Sequence, residues 1–181
     1  GLESTDINFG MVRVDPTGAP DLTFANASVV TADFGFGEDR INAIALQSDG
    51  SVIAAGTVDS ANDLNIVVAR YTASGQLDTT FGTLGYFTYD SGADDTAQGV
   101  AVQSDGKIVI VGQMYNGNDY DFGVIRLNTS GQPDTTFNSN GIRLHDFAGY
   151  DDKANGVVIQ PDGKIIVAGW AGGSYLAGQP D

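Results

Sequence analysis

The chain has 181 residues, 25 of them glycine and none cysteine, and a net charge of −15 from 23 acidic and 8 basic side chains. Eight Lys and Arg cannot easily build the basic face that a nucleic-acid binder needs, and no apolar run reaches the length of a membrane span. Disulfides, thiolate nucleophiles and Cys-ligated zinc are excluded, and an apolar share of 41% is too high for a disordered chain.

The predicted elements are all strands. Residues 9–14 form the first, followed by a turn at Thr17-Gly18, the run Asp21-Leu22-Thr23-Phe24 and a short strand over 29–32. Residues 43–47 alternate, with Ile44 and Leu46 on one side and Ala43 and Ala45 on the other. Asp49-Gly50, a strong hairpin signal, leads into 51–55, which is almost continuously apolar, as in a strand buried on both faces. A strand over 66–71, a turn at Ser74-Gly75 and a strand over 86–89 then repeat the opening pair. The four strands return over 99–103, 107–111, 122–127 and 142–145, and the first two return again over 156–160 and 164–168. No apolar spacing of three and four is sustained long enough for a helix.

The markers recur with the strands. Asp21 to Phe24 returns as Asp78-Thr79-Thr80-Phe81 and as Asp134-Thr135-Thr136-Phe137, so the period is 57 and then 56 residues. Gly56 returns as Gly112 and Gly169, and Arg13 as Arg70 and Arg126, each with an Asp seven residues upstream (Asp6, Asp63, Asp119). Four antiparallel strands per period of this length define a β-propeller blade. The small residues Ala43, Ala45, Gly99 and Ala101 suit the strand nearest the axis. The chain thus divides into third and fourth strands of a split blade over 6–32, full repeats over 41–89 and 97–145, first and second strands over 154–168, and a tail over 171–181. That is three blades' worth in an all-β fold. Propellers have typically 4–8 blades, so the expectation is a homodimer that completes a six-bladed ring.

The stretch from Asp78 through Gln132 (DTTFGTLGYFTYDSGADDTAQGVAVQSDGKIVIVGQMYNGNDYDFGVIRLNTSGQ) resembles the delta-60 repeat family of bacterial proteins. The likeness covers roughly residues 4–170 and lapses after Gly169, where a third strand with its Arg should follow. It implies propeller blades in secreted or cell-surface proteins, without an assigned activity. No secretory leader is legible in the sequence.

The loops that lead into each first strand are acidic. Asp33, Asp90 and Asp146 align, as do Asp39, Asp95 and Asp152, and Glu38, Asp94 and Asp151 lie beside them. Asp39, Asp95, Asp152, Asp119 and Asp121 are candidate calcium ligands, since calcium takes oxygen ligands from loops. The other reading is that each Asp caps its own loop by accepting backbone N–H bonds. Asp119-Tyr120-Asp121 has the D-x-D spacing of a calcium loop but lacks the glycine and distal glutamate. Tyr115, Tyr150, Trp170 and Tyr175 are candidate contacts for a glycan or peptide.

The one histidine, His145, falls on an outer strand as a surface residue, and no nucleophile–base–acid set assembles around it. The Asp-Gly-Lys turns lack the helix-opening context of a phosphate loop. The expectation is a non-enzymatic ligand-binding or adhesive module with no cofactor, calcium being only a candidate ligand. A metal-dependent lectin or enzyme on the acidic face is the alternative, and a purely structural or engineered propeller fragment is a third.

Overall fold

A computed structural model describes residues 7–34, 37–60, 62–147 and 149–173. Among them are twelve strands and no helix: β1 (Phe9–Val12), β2 (Val29–Ala32), β3 (Arg40–Leu46), β4 (Val52–Asp59), β5 (Leu64–Tyr71), β6 (Tyr86–Tyr89), β7 (Thr96–Val102), β8 (Ile108–Tyr115), β9 (Tyr120–Leu127), β10 (Ile142–His145), β11 (Asp152–Ile159) and β12 (Ile165–Ala171). Every pairing is antiparallel. Two sheets have four strands, in the orders β3-β4-β5-β6 and β7-β8-β9-β10, and they are the two full repeats. At either end stand two-stranded sheets, β1-β2 and β11-β12.

The hairpins follow from local chemistry. In each Asp-Gly turn the glycine has a positive φ (85° at Gly50, 82° at Gly106, 84° at Gly163), and the amide of Gly50 donates to the Gln47 carbonyl at 3.0 Å. This is a three-residue hairpin loop that ends in a left-handed residue, which only glycine occupies without steric cost. The Asp49 carboxylate accepts the Ser51 amide at 2.9 Å and fixes the loop.

The first strands begin three or four residues earlier than the alternation predicts. The cause is a β-bulge, between Ile41 and Ala43, between Ala97 and Gly99, and between Ala154 and Gly156, which breaks the alternation while the ladder continues. The recurrent Gly56, Gly112 and Gly169 lie opposite these bulges. A Cβ at Gly112 would stand 1.8 Å from the Thr96 carbonyl oxygen, and the other two glycines are as tight.

Three cores hold the four sheets in a row. Phe9, Phe24 and Val30 pack on Val52, Ala54, Ala69 and Tyr71 of the first full sheet. The other face of that sheet (Ile53, Ala55, Ile66, Val68) packs on Ile108, Ile110, Ile125 and Leu127 of the second. Val109, Val111, Phe122 and Val124 then meet Ala154, Val157, Ile165 and Val167 of the last sheet. The central strands β4 and β8 are buried on both faces, as their continuous apolar sequence predicts. β12 has the same sequence character but is covered on one side, so Ile166 is 47% exposed where its equivalents Ile53 and Val109 are fully buried.

Gly112→Ala should lower the unfolding free energy by about 3 kcal/mol, because the new methyl group meets backbone that cannot give way. Gly156→Ala is the control. Nothing lies within 4 Å of that site, and the first full repeat carries Ala43 there. Its effect should stay under about 0.5 kcal/mol. Urea unfolding midpoints of the two variants make the comparison, and equal midpoints would refute the steric account.

Candidate functional site

The two ends of the blades differ in chemistry. At the hairpin end, each third strand carries an arginine held by an Asp and a Phe of its own repeat. Nε of Arg13, Arg70 and Arg126 donates to Oδ2 of Asp21, Asp78 and Asp134 at 2.8, 2.7 and 2.8 Å. The guanidinium lies over the ring of Phe24, Phe81 or Phe137 at 4.5–4.8 Å. Arg13 and Arg70 also reach the next repeat, donating to the carbonyls of Ala73 (2.8 Å) and Thr129 (2.7 Å). The other Asp oxygen accepts the amide and hydroxyl of the Thr two residues on. The recurring D-x-T-F run is therefore an inter-blade latch. The Asp that serves the arginine lies eight residues downstream, where a fixed Arg-to-Asp spacing in all three repeats is the signal for it.

At the other end, the loop before each first strand meets the previous sheet. The amides of Asp39 and Asp95 donate to the carbonyls of Ile7 and Leu64. Asp39, Asp95 and Asp152 are fully buried. Asp95 accepts the Ser91 amide at 2.7 Å and the Tyr115 amide at 3.0 Å, which ties the inter-blade loop to the end of β8. Asp152 does the same with the amides of Phe147 and Gly172, both at 2.9 Å. Asp39 accepts the Phe34 amide through Oδ2, while its buried Oδ1 has no partner. Neighbouring loops bind to the side chains beside them, with Leu64 N–H on Asp94 and Tyr120 N–H on Asp151.

Of the candidate calcium ligands, Asp121 and Asp152 come together with Asp146, one carboxylate oxygen of each lying within 4.8 Å of the others. Asp119 is held by Asn116, whose side-chain amide also donates to Asp121 Oδ2 at 3.0 Å. Asp39 and Asp95 occupy the equivalent seams of the two preceding sheets. Sequence alone did not join Asp146 to Asp121, because Asp121 lies on β9 and Asp146 in the β10–β11 loop.

Tyr115 ends β8, its ring 5.5 Å from that of Tyr120. Tyr150 is exposed in the loop before β11. Trp170 lies within β12 on the same exposed face as Ile166. Tyr175 and Asp6 fall outside the described residues. His145 is exposed, its ring 4.6 Å from Phe147. At the hairpin end a cleft of about 480 Å³ gathers equivalent residues of three repeats: Leu46, Val102 and Ile159, with Gln47, Gln103 and Gln160. Its lining is uncharged.

Four-stranded antiparallel sheets stacked face to face at a fixed sequence period are propeller blades. A family model described as a domain of unknown function (DUF5122) beta-propeller matches residues 47–81, 103–137 and 160–181. These segments span just over half of the chain, and the chain belongs to that family. The first two matches run from the end of the first strand through the hairpin and third strand to the latch phenylalanine. No curated protein matches the sequence.

The two ends titrate in opposite senses. Burial holds Asp39, Asp95 and Asp121 above the ordinary carboxylate value of 3.8. Hydrogen bonds from Thr23, Thr80 and Thr136, with the arginines behind them, hold Asp21, Asp78 and Asp134 below it, Asp134 at about 2. As pH falls from neutral, the folded state takes up protons at the buried group before the unfolded chain does, so stability rises. Below 3.8 the unfolded chain protonates latch carboxylates that the folded state keeps ionised, so stability falls as pH drops towards 2. Melting temperature in metal-free buffer should therefore peak at mildly acid pH. Asp121→Asn should reduce the rise on the neutral side by its own share, with Asp39 and Asp95 retaining theirs, and leave the acid limb in place. A Tm that falls steadily from pH 7 to pH 3 would contradict the assignment.

Proposed function

We propose that the chain is a non-enzymatic propeller module whose first binding partner is a second copy of itself. The observation that carries this reading is the pair of open end faces. Val12 is 61% exposed where its equivalent Ala69 is fully buried, Val14 is 55% exposed where Tyr71 is buried, and Leu46 is 71% exposed. Ile44, Val158 and Ile166 are exposed in the same way. Contiguous apolar sheet faces of this kind mark interaction surfaces.

The two ends are complementary in kind. β1 and β2 are the third and fourth strands of a blade, and β11 and β12 are the first and second. Among the described residues they form separate sheets, so β1 and β12 each present an unpaired edge there. The β4–β5 register, with Val52 opposite Tyr71, Ala54 opposite Ala69 and Gly56 opposite Val67, transfers by the repeat. It sets Val14 opposite the partner's Ile165, Val12 opposite the partner's Val167, and Gly10 opposite the partner's Gly169. The partner's Val158 and Ile166 then cover Ile44 and Leu46. Two such junctions, related by a two-fold axis, close a ring of six blades.

The carboxylates support a non-catalytic reading. Those at the seams accept backbone amides and those at the latches hold arginines, so neither set stands as an acid–base pair facing an open cleft. A ligand has a surface in the uncharged cleft of Gln47, Gln103 and Gln160 at the hairpin end, whose amides suit a glycan or a peptide backbone, while the exposed Tyr150 offers a separate ring for stacking at the opposite end. A secreted or cell-surface setting comes with the delta-60 resemblance.

The chain has no cysteine, which permits a direct test. The double variant Val12→Cys/Val167→Cys should oxidise to a covalent dimer, and either single variant should not. Light scattering of the unmodified chain should give twice 18.8 kDa at micromolar concentration. A folded monomer there, or no cross-link in the double variant, would overturn the self-association.

A further inference from the structure

We propose that Asp121, Asp146 and Asp152 bind one divalent cation, calcium, at the seam between the second full blade and the β11–β12 sheet. One oxygen from each lies within 4.8 Å of the others. Oxygens across a bound calcium stand about 5 Å apart, given Ca–O distances of roughly 2.3–2.6 Å. Hard carboxylate oxygens are the ligands this ion takes.

Proximity of acidic groups alone would not carry the assignment. The second observation is an unsatisfied oxygen. Asp121 is only 3% exposed, and its Oδ1 is buried without a hydrogen-bond partner, while Oδ2 accepts from Asn116. A buried ionised oxygen with nothing to receive is costly unless a cation meets it. Burial, reinforced by Asp146, Asp119 and Asp152, makes ionisation of Asp121 harder, which is the stress an ion would relieve.

The repeat supplies an internal control. The position of Asp121 is held by Asn65 in the preceding repeat and by Asn8 in the one before, while the positions of Asp146 and Asp152 are Asp in all three. Asn65 is also buried, with its Oδ1 unpartnered, but there the unsatisfied group is a neutral amide. The blade therefore accommodates Asn at this site, and the third carboxylate is a local addition to the scaffold. The site also has fixed geometry. The amides of Phe147 and Gly172 hold the two oxygens of Asp152, and the Gly149 amide holds Asp146. A cation there would tie β9, the β10–β11 loop and β11 together across the seam.

The test uses the whole chain, stripped with EDTA, and calcium chloride alone. Titration calorimetry at pH 7 should find one site per chain, and calcium at ten times its Kd should raise Tm by about 3–5 °C. Asp121→Asn restores the residue of the other repeats, so it should keep the apo fold by circular dichroism while weakening calcium binding at least tenfold. Asp146→Asn, with its side chain exposed, should weaken binding similarly. Magnesium, which needs shorter bonds in a stricter octahedron, should bind more weakly than calcium. The proposal fails if 5 mM calcium produces neither heat nor a shift in Tm. It fails equally if Asp121→Asn binds calcium as tightly as the parent chain. The readouts do not depend on whether the chain is a dimer.

Discussion

A four-stranded blade has two apolar faces, and it can cover neither by itself. Everything else in this molecule answers to that constraint. β4 and β8 can be apolar at almost every position because a neighbour stands on each side of them. Wherever a neighbour is missing, the same sequence pattern leaves valine and isoleucine in solvent, as at Val12, Ile44 and Ile166. Burial on folding is thus a property of pairs of blades, as in other repeat proteins whose stability sums unit and interface contributions. Burial gives attraction without direction. Direction comes from the latch, where an arginine is fixed by its own Asp and Phe and then donates across to the next repeat. A partly exposed ion pair contributes about 1 kcal/mol at most and the ring contact about as much. The value of the latch lies in fixing the angle at which one sheet meets the next.

At the opposite end the same problem has another solution. The connection between blades runs from an outer strand back to an inner one and must leave its backbone amides in a crowded seam. A buried amide needs an acceptor. Asp95 supplies two oxygens on a short side chain and serves Ser91 and Tyr115 at once. The cost appears as a carboxyl that burial makes harder to ionise. Repetition of such an Asp in every blade therefore has a sufficient structural cause. A ligand role has to be read from oxygens the backbone leaves unserved.

Most of the fold was legible in the sequence. Strand type, order and period followed from alternation at 43–47, the apolar run at 51–55 and the Asp-Gly turn between them. What alternation concealed was the start of each first strand, since a bulge at Asn42 shifts the face on which later side chains fall. The site was less legible, for a physical reason. Spacing along the chain reports neighbours within a strand or loop, whereas the seam joins β9 to the β10–β11 loop and β11. Asp121 and Asp152 were each marked by their own local pattern. Their meeting at Asp146 depends on how one blade is set against the next. Likewise Arg70 stood out by recurrence, but its outreach to Thr129 crosses a blade boundary that no local pattern describes.

The charge of the chain takes on meaning once it is placed. Arg13, Arg70, Arg126, Lys107 and Lys164 form their ion pairs at the hairpin end, with Asp21, Asp78, Asp134, Asp105 and Asp162. At the seam end, among the described residues, the ion pair of Arg40 with Glu38 stands beside a much larger set of acidic side chains between Asp33 and Asp152. Among the described residues, the excess negative charge is therefore concentrated at one end of the stack, where loops rather than ladders set the geometry. Such a field draws cations and repels anionic polymers. Because the blades share one orientation, each added repeat brings its acidic loop to the same end, and like charges accumulate there with blade number. The repeats can relieve that repulsion by protonation, by neutral substitution as at Asn65, or by a bound ion. The sequence of the third seam, with a third carboxylate where its predecessors have an amide, is the least compatible with the first two.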